Sequence, residues 1–224
     1  MKINYCLPII KNSKEKVLEM INQNLSDYSY FEIWLDYVED LNTEFLDFLI
    51  SQYEEKLVFL FRRQNLEEIK MDKDQREKII WQVANTKTFL DLDISQEEEL
   101  KYIKDKNIKP SLILSYHNYE TTPPFPEMID MIEDMEKNNP KVYKFSTFCM
   151  NSQDAVKLLN LLMHLKDGGK KFIITGMGEN GVIVRLAGAL WGNEMNFAPI
   201  SKEDASAPGQ LTKEELEQVL SLVS

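Results

Sequence analysis

A lysine interrupts a run that is otherwise typical of a β-strand, VYKFSTF at 142–148. At an inward position of a sheet, Lys144 must pair with an opposite charge or have its pKa lowered by burial, which leaves the amine neutral and nucleophilic. A neutral amine that attacks a ketone gives an iminium, which draws electrons from the neighbouring carbon. The residue types therefore allow Schiff-base chemistry. Spacing alone equally allows a Lys144 that points outward between helices.

A histidine ends the preceding strand-like run, SLILSYH at 111–117. His117 can take up and release protons near neutral pH, which suits general acid–base catalysis. A histidine at a strand end is often a structural residue, but a lysine on the neighbouring strand makes His117 a candidate proton shuttle. The other histidine, His164, lies in LLNLLMHLK and is predicted to occupy a helix face.

Further polar residues interrupt strand-like runs near their carboxyl ends, namely Glu32, Asp36, Arg62, Asp91 and Asp93. The candidate anion binders are Arg62, Arg63 and Arg185, although Arg185 also fits the surface of an amphipathic helix, GVIVRLAGALWG. The run SAPGQ at 206–210 fits a loop that folds over a ligand. In that loop, Ser206 and Gln210 would supply neutral hydrogen-bonding groups.

Short apolar runs alternate with longer amphipathic segments along the chain. We predict strands at 3–8, 31–36, 57–62, 88–94, 111–117, 142–148, 170–177 and 193–199. We predict helices near 13–23, 42–55, 72–86, 95–106, 124–138, 152–166, 180–191 and 212–223, with N-caps at Asn151, Ser95 and Thr212. Strands buried on both faces with helices between them form a parallel sheet, and eight such units in about 220 residues close into a barrel. The sequence therefore predicts an α/β fold, a single-domain (β/α)8 TIM barrel over residues 1–224, with its site at the carboxyl ends of the strands.

Glycine is distributed unevenly, because all eight glycines lie between Gly168 and Gly209. The earlier loops must therefore turn with Asn, Asp and Pro, whereas the later loops can bring their backbone close to a ligand. This asymmetry indicates that GMGENG (176–181) and SAPGQ face a ligand.

The net charge of −11, from 37 acidic and 26 basic residues, argues against nucleic acid or an anionic membrane surface as a partner. No apolar run approaches the roughly 20 residues of a membrane span, and the start MKINYCLPII does not fit a signal peptide. Cys6 and Cys149 lie in apolar runs and are predicted to be buried free thiols, as in a reducing compartment. We therefore expect a cytoplasmic protein that acts on a small molecule.

Taken in order, the motifs resemble those of type I 3-dehydroquinate dehydratase, the Schiff-base enzyme of the shikimate pathway to the aromatic amino acids. The matching runs are EIWLD (32–36), LFR (60–62), SYHNYETTP (115–123), VYKFSTF (142–148), ITGMGENGVIVRLAG (174–188) and ASAPGQL (205–211). They extend over almost the whole chain, and the last two are the most specific because their spacing matches as well as their composition.

The resemblance implies a lyase that dehydrates 3-dehydroquinate to 3-dehydroshikimate by syn elimination. It implies that Lys144 forms the imine, that His117 moves the protons and that Arg185 pairs with the substrate carboxylate. The resemblance further implies that the remaining substrate contacts come from Ser206 and Gln210 on the covering loop and from Glu32 and Arg62. It implies neither a metal nor an organic cofactor, and it suggests a homodimer.

The chain departs from the family pattern at two places. Where the family has an arginine two positions after the glutamate of its second strand, this chain has Trp34. The family also follows its third-strand arginine with an acidic residue, which orients the histidine, and with a Gly-Gly pair. This chain instead reads RRQNLEEIKMD, with Leu66 at the nearest equivalent position and Glu67 one residue further on as a candidate replacement.

These departures leave two alternatives open. One is another Schiff-base, aldolase-like barrel enzyme that acts on a different keto or hydroxy acid. The other is a non-catalytic descendant that binds a ligand or a partner protein. Joint retention of five residues argues against the second alternative, namely Lys144, His117, Arg185, Ser206 and Gln210. A binding module has little use for a buried lysine beside a histidine.

Overall fold

The computed structural model describes residues 3–222 and contains one eight-stranded sheet. Its strands are β1 Tyr5–Ile9, β2 Tyr30–Trp34, β3 Leu57–Leu60, β4 Phe89–Asp93, β5 Ser111–Asn118, β6 Val142–Phe148, β7 Phe172–Met177 and β8 Asn196–Phe197. They pair in parallel in the order β7-β6-β5-β4-β3-β2-β1-β8. Beside the start of β8, the backbone N–H of Glu194 donates to the carbonyl of Phe172 at 2.8 Å, which links this segment to β7. The sheet is therefore a nearly closed barrel, and the predicted (β/α)8 fold is confirmed.

A helix follows each strand. The helices are α1 Lys14–Asn24, α2 Thr43–Tyr53, α3 Lys73–Val83, α4 Glu97–Asp105, α5 Phe125–Glu136, α6 Ser152–Asp167, α7 Val182–Trp191 and α8 Lys213–Ser221. The predicted N-caps Asn151 and Thr212 are confirmed, since their side chains accept backbone N–H groups of α6 and α8. The predicted N-cap Ser95 is wrong. Gln96 occupies that position, and the Ser95 hydroxyl instead donates to Asp93 Oδ1 at 2.7 Å.

The predicted strand bounds hold best at β6, which is confirmed from end to end. The second strand ends at Trp34 rather than residue 36, because residues 35–37 form a short 3-10 helix. There the Asp36 carboxylate accepts the backbone N–H groups of Lys70 and Met71, at 2.8 and 2.9 Å. The predicted strand 193–199 is much shorter in the structure, where it is β8. The ends of the predicted domain 1–224 and of the predicted helix 212–223 lie outside the described residues.

The inward faces of the strands change from apolar to polar toward their carboxyl ends. Side chains alternate along a strand, so on β5 Ile113, Ser115 and His117 share one face, and on β6 Val142 and Lys144 do the same. A fully buried apolar layer inside the barrel consists of Cys6, Val58, Ile113, Val142, Ile173 and Met195. This layer fills the barrel beneath the polar residues, which are thereby held at its carboxyl end.

Three smaller expectations from the sequence, on the early loops, the two cysteines and His164, are also confirmed. Two of the early loops turn through asparagines with left-handed backbone, Asn107 (φ 52°) and Asn139 (φ 49°). Cys6 and Cys149 are buried and free. His164 is exposed on α6. Within residues 3–222, every helix is too short or too polar to cross a membrane.

Two glycines bring the start of α7 close to β7. A Cβ placed on Gly181 would lie 2.4 Å from the carbonyl carbon of Gly176 and 2.7 Å from its oxygen. These neighbours are backbone atoms, which cannot rotate away as a flexible side chain would. The close approach therefore requires glycine, and it fixes the helix that carries Arg185.

We predict that Gly181→Ala lowers the free energy of unfolding by about 1–3 kcal/mol, because the added methyl group must push α7 away from β7. Urea unfolding measures this change. Gly168→Ala is the matched control, since its added Cβ would come no closer than 3.3 Å to a backbone oxygen. Equal stability of the two variants would contradict the prediction.

Candidate active site

A small cavity of about 40 Å³ lies at the carboxyl ends of the strands. All seven candidate site residues line it, namely Glu32, Arg62, His117, Lys144, Arg185, Ser206 and Gln210. A larger cavity of about 540 Å³ lies beside α2 and α3 and contains none of them. The structure thus brings together residues that are up to 178 positions apart in the sequence, from Glu32 to Gln210.

Lys144 points into the barrel and forms two buried ion pairs. Its Nζ lies 2.6 Å from Asp91 Oδ2 and 3.1 Å from Glu32 Oε1. Burial alone would lower the pKa of Lys144, but the carboxylates of Asp91 and Glu32 outweigh burial and hold this pKa above its usual value. In the resting site Lys144 is therefore a paired ammonium, the first of the two possibilities that its sequence position left open.

Asp91 is the acceptor at the centre of this network. Its Oδ1 accepts the hydroxyl of Ser115 at 2.6 Å and lies 3.6 Å from a guanidinium nitrogen of Arg62. Burial would raise the pKa of Asp91, but Lys144 and Arg62 lower it well below its usual value. Among the described residues, the Nε of Arg62 is buried without a hydrogen-bond partner. That N–H is a donor which an oxygen of a ligand could satisfy.

His117 is buried beside the cavity and is held by Asp93. Its Nδ1 lies 2.9 Å from Asp93 Oδ2, and its backbone N–H donates to the same oxygen at 3.1 Å. Burial lowers the pKa of His117 to about 4, and the positive charges of Arg62 and Lys144 add to this effect against the opposing Asp93. The imidazole is therefore neutral at pH 7. Because the carboxylate can only accept, Nδ1 carries the proton and Nε2 is free to act as a base.

Trp34 replaces a family arginine and still supplies a donor. Its indole Nε1 donates to Glu32 Oε2 at 2.8 Å, while Lys144 takes the other oxygen of the same carboxylate. The Arg62 guanidinium lies 5.7 Å from the centre of the Trp34 ring. Glu32 is thus fixed in orientation by two donors from opposite sides of its carboxylate.

The other wall of the cavity comes from α7 and the loop at 205–210. Arg185 donates from Nε to the carbonyl of Gly176 at 2.9 Å, and burial lowers its pKa to about 10, so it stays charged at neutral pH. Gln210 Oε1 accepts from the backbone N–H of Ser206 at 2.8 Å and from its hydroxyl at 3.2 Å. A backbone bond of 3.2 Å from Gly178 N to the carbonyl of Pro208 holds the loop against the end of β7.

Sequence reasoning did not select several residues that the structure places at the site. Asp91 and Asp93 were recognised as polar interruptions but given no role, although their spacing of two puts both on the inward face of β4. The other unselected residues that line the cavity are Trp34, Tyr119, Ser146, Thr175, Met177, Phe197 and Ala207. Trp34 stood out in the sequence as a departure from the family pattern, whereas the types of the other six are common in strands and loops and gave no signal of their position.

Glu67 does not replace the missing acidic residue. Its carboxylate lies 3.7 Å from Arg63 Nε, and its side chain is 62% exposed. Within the described residues, clusters of three or more His, Cys, Asp and Glu side chains arranged to hold a metal ion are absent.

We predict that Asp91→Asn lowers the free energy of unfolding by about 3 kcal/mol at pH 7, because it removes one partner of a buried ion pair. The pKa of Asp91 is lowered in the folded state, so its stabilisation is present above its unfolded pKa of about 3.9 and fades as the pH falls below that value. The difference in the free energy of unfolding between wild type and Asp91→Asn should therefore be smaller at pH 3 than at pH 7. Urea unfolding at the two pH values measures it.

Asp134→Asn is the control for this experiment, because Asp134 is an exposed carboxylate paired with Lys137. Its effect should stay within about 0.5 kcal/mol. The assigned ion pairs would be contradicted if Asp91→Asn lowered the free energy of unfolding no more than Asp134→Asn does.

Known proteins resemble this chain over nearly its whole length. The model of the type I 3-dehydroquinase family matches residues 5–224. The 3-dehydroquinate dehydratase of Methanococcus maripaludis strain C7 is 30% identical over 224 residues, which cover 97% of this chain and 99% of that protein. The 3-dehydroquinate dehydratase of Coxiella burnetii strain RSA 493 is 29% identical over 208 residues, which cover 92% of this chain and 87% of that protein.

Solved structures give the same result for the fold. The type I 3-dehydroquinate dehydratase of Clostridium difficile, solved with covalently modified comenic acid, has a TM-score of 0.82 at 23% identity and covers 99% of this chain, with 92% of its own length matched. The 3-dehydroquinate dehydratase of Geobacillus kaustophilus also has a TM-score of 0.82, at 19% identity, with 100% of this chain and 91% of that one covered. Taken with the family model, which spans nearly the whole sequence, these matches establish that the chain belongs to the type I 3-dehydroquinase family.

Proposed function

We propose that the protein is a hydro-lyase that dehydrates 3-dehydroquinate to 3-dehydroshikimate through an imine on Lys144. The observation that carries the proposal is a buried lysine between two carboxylates, in one cavity with a neutral histidine. Membership of the family and relatives named 3-dehydroquinate dehydratase supply the substrate. The homodimer suggested by the sequence stays a prediction.

The first step joins Lys144 to the ketone. Its ammonium must lose a proton before the amine can attack, and the neutral imidazole of His117 and the two paired carboxylates are the bases in the site. Addition followed by loss of the carbonyl oxygen as water gives a protonated imine. Asp91 and Glu32, which hold the ammonium at rest, would then hold the iminium charge in the same place. Such preorganised charge stabilises a cation without reorganisation.

The second step is the elimination. His117 Nε2 would take the proton from the carbon next to the iminium, which leaves an enamine. The protonated histidine would then deliver that proton to the departing hydroxyl, which leaves as water from the same face. Hydrolysis of the remaining imine returns Lys144 and releases the conjugated enone. One base that works as an acid in the next step fits a histidine that is neutral at rest.

Arg185 would bind the carboxylate of the substrate, since it is charged, buried and lines the same cavity as Lys144. Glu32 and Arg62 would contact ring hydroxyls, with the unpartnered Nε of Arg62 as a ready donor. A cavity of about 40 Å³ has little more room than one or two water molecules need. The loop with Ser206 and Gln210 must therefore move to admit a six-membered ring and then return to cover it.

A second candidate is a Schiff-base enzyme for a different keto or hydroxy acid. The observation that favours it is Trp34, which replaces a cation beside Glu32 with an apolar ring. Under this alternative, wild-type protein would not turn over 3-dehydroquinate, and Trp34→Arg would gain that activity. A non-catalytic binding protein would gain none with the same substitution.

We predict that wild-type protein converts 3-dehydroquinate to product and that Lys144→Ala abolishes turnover, measured by absorbance of the enone. His117→Ala should lower kcat by roughly 10²–10⁴-fold, because elimination loses its base. His117→Ala should still form the imine, which borohydride traps as a substrate-sized mass increase. Lys104→Ala and His164→Ala are the matched controls, since both residues are exposed on helices. Undiminished turnover by Lys144→Ala would end the Schiff-base assignment.

We predict that Trp34→Phe lowers kcat/KM about tenfold, because a buried oxygen of Glu32 loses its donor and the carboxylate loses its fixed orientation. Steady-state kinetics with 3-dehydroquinate measure the effect. Trp191→Phe is the control, since Trp191 is 41% exposed on α7. If both substitutions give the same kinetics, Trp34 has no part in holding Glu32.

A further inference from the structure

We propose that Asp93, at the end of β4, is the positioning residue for His117, and that it takes the role which the loop after Arg62 does not fill. This inference rests on the proposed function, because it assigns a second residue to the proton transfer. Asp93 is not expected to touch the substrate. It would act only through the imidazole.

The contacts of Asp93 leave its carboxylate little freedom. One oxygen, Oδ2, accepts both the ring Nδ1 and the backbone N–H of His117. The other oxygen, Oδ1, accepts the backbone N–H and the hydroxyl of Ser95, at 3.0 and 2.7 Å. The side chain is 5% exposed. Four donors thus fix the carboxylate, and the bond to the ring fixes the tautomer and the orientation of the imidazole.

The backbone of Asp93 is fixed as well. Its N–H donates to Gln96 Oε1 at 2.8 Å, and its carbonyl accepts the backbone N–H of Gln96 at 2.9 Å. The amide of Gln96 in turn donates to the carbonyl of Phe61 at 3.3 Å, which ties this turn to the end of β3. A group that must orient a catalytic side chain is best built on such a rigid element.

The loop after Arg62 lacks the means to do the same. Leu66 stands where the family has its acid, and its side chain has no group that can accept a proton or a hydrogen bond. Glu67 is mostly exposed and lies near Arg63. Asn65 and Leu66 both have left-handed backbone, with φ of 53° and 57°, which turns the chain at this point without glycine.

The charges around His117 give the role a measurable signature. Arg62 on the β3 side and Lys144 on β6 lower the pKa of His117, as does burial, whereas Asp93 raises it. Asp91 also lies close enough to be influenced by the imidazole. Loss of the Asp93 charge should therefore move the pKa of His117 further down while releasing the ring. A defect of packing alone would not produce that pair of effects.

The test compares Asp93→Asn with Glu67→Gln in the full chain. Each substitution neutralises one carboxylate, at Asp93 or at the acid that follows Leu66. We expect Asp93→Asn to lower kcat about 100-fold with less than about threefold change in KM, and Glu67→Gln to change neither beyond about twofold. The acidic limb of the kcat/KM profile should move to lower pH in Asp93→Asn. Asp93→Glu should recover part of the lost kcat. Equal kinetics for Asp93→Asn and Glu67→Gln would overturn the proposal.

A second readout separates this inference from the proposed function. Nitrogen-15 NMR of the imidazole should find the proton of His117 on Nδ1 in the wild type and lost from Nδ1 in Asp93→Ala, whose side chain cannot accept a hydrogen bond. If the wild type does not turn over 3-dehydroquinate but the tautomer differs between wild type and variant, the proposed substrate is wrong and the positioning role of Asp93 still holds. An unchanged tautomer refutes the positioning role whatever the activity. If Asp93→Asn does not fold, Ser95→Ala, which removes one donor to Asp93, should lower kcat at nearly constant KM, and unchanged kcat would refute the role.

Discussion

The site depends on one interaction, the pairing of the Lys144 ammonium with the carboxylates of Asp91 and Glu32 inside the barrel. An unpaired ammonium at this depth would lose its proton or destabilise the fold, because burial strongly disfavours the charged form. The pairing is tolerated because each carboxylate has a further donor, Ser115 for Asp91 and Trp34 for Glu32. The two carboxylates that hold the positive charge of the resting lysine would thus hold the positive charge of the iminium at the same position.

Further buried charged residues surround the ion pairs of Lys144. At the site, the buried cations Lys144, Arg62 and Arg185 equal in number the buried carboxylates of Glu32, Asp91 and Asp93. The other buried carboxylates pair with cations elsewhere, namely Asp36, Glu99 and Asp154. His117 lies among the charged groups of the site and is neutral because burial and two nearby cations outweigh one carboxylate. A lysine kept charged and a histidine kept neutral are two groups with separated pKa values, which is the arrangement that acid–base chemistry at neutral pH requires.

Much of this could be predicted from the sequence, and the reason is periodicity. Strand β6 was predicted residue for residue, and alternation along it put Lys144 on the face of Val142. The identity of the partners could not be predicted in the same way. Asp91 and Asp93 are equivalent by pattern, and only the register of β4, β5 and β6 decides that one meets Lys144 and the other His117.

Loops were the least predictable part for a related reason. The sequence offered Glu67 as a replacement acid because it is adjacent to the expected position, yet its direction depends on the backbone at Asn65 and Leu66. Ser95 looked like an N-cap because serine favours that position, but its hydroxyl donates to Asp93 and the N-cap is Gln96, one residue later. In both places the outcome was decided within a few residues, by a side-chain hydrogen bond at Ser95 and by left-handed backbone at Asn65 and Leu66.

A covalent imine on Lys144 can be tested by locating the adduct in the sequence. Wild-type protein would be mixed with 3-dehydroquinate, reduced with borohydride, digested and sequenced by tandem mass spectrometry. We expect one modified peptide, with the mass of the reduced imine on Lys144 and on no other lysine. Turnover without any modified Lys144 would contradict this expectation.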